Sequence, residues 1–232
     1  MEYKISKSAS LLHDKLVDNE FISVDDFDLD LLQSYDEGQL DIDYAHNKFI
    51  NYYGYKFEES FKDVININKL YFHGIIEVDL YFSKLEICIE NIGVGLSLLN
   101  YDEGLWYDDQ PEEEKALWKT FRSFDTRPEI GDGKMAVFSI QEGVSPPNEP
   151  AIYYIDRAFY CKTNLTFVQY YEAVLDMMGI ADWQLLFSEV SLKDPMISYK
   201  YDGLKASLEA LAKAFPDKDY SKYFELLEAR WV

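Results

Sequence analysis

An α+β fold, a mostly antiparallel sheet packed by helices, is predicted by three features of the sequence. Helix-period segments open and close the chain. Two groups of β-branched and aromatic runs fill its middle, separated by a single amphipathic segment. The composition supplies a core: 48% of residues are apolar and 16% aromatic, with 19 Tyr and 15 Phe. A chain of 232 residues buries roughly 70–75% of the surface it exposes when unfolded, so it folds without covalent staples. The aromatics also separate it from disordered chains of similar charge.

The first fifty residues read as helical. Ile5, Ala9, Leu12 and Leu16 fall at helix spacing. Ser23 or Asp25 caps a second expected helix through Phe27, Leu31, Leu32 and Tyr35, which Gly38 ends. A third runs from Gln39 to Tyr53, with Leu40, Tyr44, Phe49 and Tyr52 along one face. Between 64 and 90 the pattern changes to strands, Val64–Ile67, Lys69–Phe82 and Lys84–Glu90, with a turn at Ser83-Lys84. Asn91-Ile-Gly-Val-Gly is turn-like. Pro111 and three glutamates then open a helix that places Ala116, Leu117, Trp118 and Phe121 inside.

A second pair of strands, 134–140 and 151–156, is joined by a proline-bearing loop. Thr163 or Asn164 caps a helix from Thr166 to Met178, and Gly179 stops it. Two helices, 202–215 and 219–230, follow on either side of Pro216, with Asp219 or Ser221 capping the last. Cys88 and Cys161 both sit in apolar strand-like runs and read as unbridged packing.

The net charge is −21, from 43 acidic and 22 basic residues. Such a field repels nucleic acid and anionic membranes and attracts basic surfaces. It is concentrated in two blocks. Asp18, Glu20, Asp25, Asp26, Asp28, Asp30, Asp36, Glu37, Asp41 and Asp43 form one without an intervening Lys or Arg. Asp102, Glu103, Asp108, Asp109, Glu112, Glu113 and Glu114 form the second, with Trp106 and Tyr107 among them. Blocks of one sign repel themselves, a cost that a basic partner offsets.

No catalytic or metal signature stands out. His13, His46 and His73 lack the i+4 partner of a zinc helix, and His73, in a strand-like run, reads as structural. Asp26, Asp28, Asp30 and Glu37 occupy calcium-loop positions, but Leu31 stands where the turn needs glycine, and Leu31 and Leu32 fit a helix face instead. Gly93 and Gly95 are followed by Leu98 where a dinucleotide fingerprint needs glycine.

Residues 129–187 carry a resemblance. Glu129-Ile-Gly-Asp-Gly-Lys-Met-Ala-Val-Phe-Ser-Ile is followed by Pro150-Ala-Ile-Tyr-Tyr-Ile-Asp, then by Leu165-Thr-Phe-Val-Gln-Tyr-Tyr and Trp183-Gln-Leu-Leu-Phe. This resembles the C-terminal half of SUKH-superfamily proteins, which include the yeast cell-wall-synthesis regulators and many bacterial immunity proteins. The family's N-terminal Leu-Pro-x-x-Tyr helix is not visible, and Asn91-Ile-Gly-Val-Gly only distantly matches its Asn-Gly-x-Gly-type turn. The resemblance implies a SUKH-like domain over 1–195, a helical extension over 196–232, and a non-enzymatic role in binding a toxin.

Composition and resemblance together give the expectation of a cytoplasmic protein that neutralises a basic toxin domain. Its expected contacts are Asp102, Glu103, Trp106, Tyr107, Asp108, Asp109, Glu112, Glu113 and Glu114. No cofactor, metal, nucleic acid or membrane is expected. A regulatory scaffold and a carboxylate-dependent hydrolase are the alternatives.

Overall fold

In a computed structural model, residues 11–31, 55, 67–77, 85–92, 111–126, 131–140, 149–157 and 159–232 are described. The fold is α+β. Among the described residues, seven strands, β1 (Ile22–Leu31), β2 (Ile67–Ile76), β3 (Leu85–Ile92), β4 (Phe121–Thr126), β5 (Lys134–Ser139), β6 (Ala151–Asp156) and β7 (Phe159–Lys162), pair antiparallel in chain order. Alternation along them separates two faces. On β5 and β6, Ala136, Phe138, Ile152 and Tyr154 enter the main core, while Val137 and Ile155 enter a smaller cluster behind the sheet.

Helices α1 (Leu12–Val17), α3 (Phe167–Met177), α4 (Lys200–Ala214) and α5 (Ser221–Arg230) contribute to the main core, with a 3₁₀ turn at Trp183–Phe187. Helix α2 (Glu112–Trp118) lies over the smaller cluster, where the Trp118 ring meets Phe121 and Tyr160 at 5.5 and 5.6 Å. In the main core Phe124 stacks on Phe138 at 4.3 Å and meets Tyr170 of α3 edge-on at 5.0 Å. Losing such a buried ring costs about 3–5 kcal/mol. The C-terminal helices share this core, since Leu204, Leu208, Leu211 and Leu227 are buried with Phe72 and Ile87.

The start and end of α3 are set locally. Thr166 caps it with a reciprocal Gln169 capping box, three residues later than the Thr163 expected as one cap. Met178 and Gly179 then turn left-handed, at φ 50 and 62. A Cβ at Gly179 would lie 2.2 Å from the Cys88 carbonyl oxygen, so glycine also lets the helix end approach β3.

Three expectations are corrected. The helix expected through Phe27 and Leu31 is strand β1. Phe27 and Leu31 are four residues apart, an interval that a helix and a strand of period two share, and the period of two runs through Asp-Phe-Asp-Leu-Asp-Leu after a register shift between Val24 and Asp26. The helix after Pro111 stops at Trp118, and Phe121 starts β4. Pro111 is its N-cap, not its first turn residue. The last two helices occupy Lys200–Ala214 and Ser221–Arg230. Asp219 accepts from the Ser221 N–H and hydroxyl, but Tyr220 holds the cap position.

Residues 1–10, the expected helix 39–53, the Ser83-Lys84 turn and Gly93–Gly95 lie outside the described residues. Among the described residues, no helix is long and apolar enough to cross a membrane. Cys88 and Cys161 are buried and not in a disulfide.

Candidate functional site

The described part of the first acidic block lies on the turn after α1 and on β1, and α1 adds Asp14. Asp14, Asp18, Glu20, Asp25 and Asp26 are exposed, and over residues 11–27 the one exposed lysine is Lys15. The β1 bulge brings Asp25 beside His73 of β2, whose Nδ1 lies 3.2 Å from the carboxylate. The other ring nitrogen lies 2.9 Å from Glu86 of β3. His73 thus joins three strands through opposite sides of its ring. The two carboxylates do not converge on one point, and among the described residues no His, Cys, Asp and Glu cluster is placed to hold a metal. Asp36, Glu37, Asp41 and Asp43 lie outside the described residues.

Of the expected partner contacts, Asp102, Glu103, Trp106, Tyr107, Asp108 and Asp109 also lie outside the described residues. Glu112, Glu113 and Glu114 form the first turn of α2. Glu112 and Glu113 face solvent, and Glu112 accepts from Lys115 at 2.6 Å. Glu114 is half-buried; burial, then the Glu114 charge, raises the Tyr160 hydroxyl above its usual range. The α2 carboxylates stand on the helix whose Leu117 and Trp118 pack into the cluster behind the sheet, whereas the first block occupies the β1 edge of the sheet order.

Spacing gave no sign of a polar clasp beside the main core. Lys200, at the start of α4, has a side chain only 2% exposed and pairs with Asp156 of β6 and with Asp182 at 2.7 Å. Asp182 has a left-handed backbone, φ 63, and accepts from the Tyr154 hydroxyl at 2.5 Å and from Lys134. Burial opposes ionisation of Asp182, but Lys200, Tyr154 and Lys134 outweigh it and hold the carboxyl below its usual range. Burial likewise opposes the Lys200 charge, and the two aspartates overcome it, raising its pKa. Next to this clasp, Asp125 accepts from Tyr170, whose hydroxyl accepts from Gln184. The clasp is closed: the cavity beside it holds about 10 Å³, room for one water at most.

An open groove of about 500 Å³ separates α3 from α5. Gln169, Glu172, Ala173 and Asp176 line it from α3, and Lys222, Tyr223 and Leu226 from α5, with Leu165 and Phe187 between them. Asp176 accepts from the Tyr223 hydroxyl at 2.7 Å, from Lys222 at 3.2 Å and from Lys218 at 3.3 Å. Burial alone would raise its pKa, but these donors win and lower it. Glu172 and Asp176 stand one turn apart on the polar side of an amphipathic helix, the single trace of this groove in the sequence. Facing Lys222 is 46 residues away from Asp176 in the chain.

No family model, curated protein or solved structure matches the chain.

Proposed function

We propose that this chain is a non-enzymatic binding protein that covers a basic surface of a protein partner, and that the partner is a toxin domain for which it serves as the immunity protein. The observation that carries the reading is the exposed run Asp14, Asp18, Glu20, Asp25 and Asp26, against Lys15 as the one lysine over residues 11–27. Charges so placed steer a basic partner into encounter and penalise acidic competitors. Affinity then rests on a few desolvated anchors within the contact. The toxin is supplied by the resemblance of residues 129–187 to SUKH proteins, and the acidic Glu112 and Glu113 on α2 extend the same chemistry.

The test is co-expression of the full chain with a basic toxin-type domain encoded beside its gene. Rescue of growth and co-purification of the two proteins are the expected results. Growth arrest with no complex would defeat the reading.

A further inference from the structure

We infer that the groove between α3 and α5 is a docking site for a basic, amphipathic segment of the protein partner, one cation of which pairs with Glu172. The inference rests on the reading of the chain as a binder of basic proteins and names the place where such a partner anchors.

The size of the groove, about 500 Å³, is that of a pocket that takes several side chains. Its chemistry is two-sided. Leu165, Ala173, Phe187 and Leu226 offer apolar surface, and charge stands on both helical walls. Those charges are unequally matched. Asp176 already accepts from Tyr223, Lys222 and Lys218. Glu172, one turn earlier on the same wall, is exposed and has no ion-pair partner among the described residues. A neutral or acidic occupant would strip water from Glu172 without replacing it, a cost a cation removes. A Lys or Arg suits both surfaces, because its methylene stem lies on the apolar floor while its head reaches the rim. A groove walled by two helices suits an amphipathic segment laid between them.

The groove also adjoins the acidic face. Asn19, after α1, donates to the Ala214 carbonyl at the end of α4 at 2.6 Å, and Lys218, shortly after that helix, pairs with Asp176 in the groove at 3.3 Å. One partner can therefore meet α1 and the groove together.

The probe is a synthetic helical peptide with one leucine face and one lysine face, titrated into the full chain and followed by heteronuclear NMR and calorimetry. Shifts centred on Ala173, Phe187 and Leu226 are expected. Glu172→Lys should weaken binding at least tenfold, and Leu226→Arg should do the same. Glu209→Lys, an exposed α4 change of identical net charge, should alter it less than about twofold. Equal weakening by Glu209→Lys, or shifts centred elsewhere, overturns the groove. With the toxin-type domain, no binding to the wild-type chain defeats the functional reading itself. Equal binding to wild type and Glu172→Lys overturns the groove alone.

Discussion

The ammonium of Lys200 lies 2.7 Å from the Asp182 carboxylate and also contacts Asp156, so one nearly buried cation ties α4 to β6 and to the turn before Trp183. The segments it joins are 18 and 44 residues away in the chain. Removing one member of a buried ion pair leaves an uncompensated charge, which costs more than the pair contributes. Lys200→Met should therefore destabilise the fold by about 3–5 kcal/mol in urea unfolding. Adding Asp182→Asn should recover part of the loss. A double variant less stable than Lys200→Met would show that the clasp is not the origin of the effect.

The clasp and the groove each hold a carboxylate that gives the protein an acid limit. Asp182 and Asp176 both have folded pKa values below the ordinary aspartate value. Their stabilisation is complete above that value, about 3.9, and is lost as the pH falls through the lower folded values. Urea midpoints should fall below about pH 4. Lys200→Met removes the cation that depresses Asp182, so its midpoint should fall less steeply with acid. Lys200 works in the opposite direction: its raised pKa stabilises the fold below its ordinary value of about 10.4 and ceases to do so as the pH rises through the folded value. Parallel pH profiles for variant and wild type would contradict this assignment.

Two glycines separate space from propensity. Gly179→Ala places a Cβ 2.2 Å from the Cys88 carbonyl oxygen at a φ of +62 and should cost more than about 2 kcal/mol. Gly203, inside α4, has nothing within 4 Å of a built Cβ. Gly203→Ala should stabilise the protein by about 0.5–1 kcal/mol, read as a higher urea midpoint.

Legibility in the sequence followed the range of the interactions. Strands β5 and β6 and helix α3 announce themselves through period-two and helical spacing, and Gly179 marks the end of α3. The reading of β1 as a helix arose from Phe27 and Leu31, whose interval of four is common to a helix and to a strand of period two. The merging of β4 into α2 has a similar cause. Trp118 and Phe121 are three residues apart and pack on each other at 5.5 Å, as a helical pair would, yet a chain turn separates them. The acidic block running from the end of α1 into β1 was visible as composition, since exposed charge needs no tertiary context. The Lys200 clasp and the groove were not, because their members come from separate elements and become neighbours only when the sheet and C-terminal helices close on one core.

The central claim is that the acidic surface captures a basic protein partner. Its most direct test is the affinity of the full chain for the basic toxin-type domain between about 0.1 M and 1 M salt, over which the Debye length falls from about 10 to 3 Å. The account predicts an affinity at least tenfold weaker at the higher salt, with most of that dependence removed when Asp14, Asp18, Asp25 and Asp26 are replaced by Asn. An affinity indifferent to salt, or unchanged by those replacements, would contradict it.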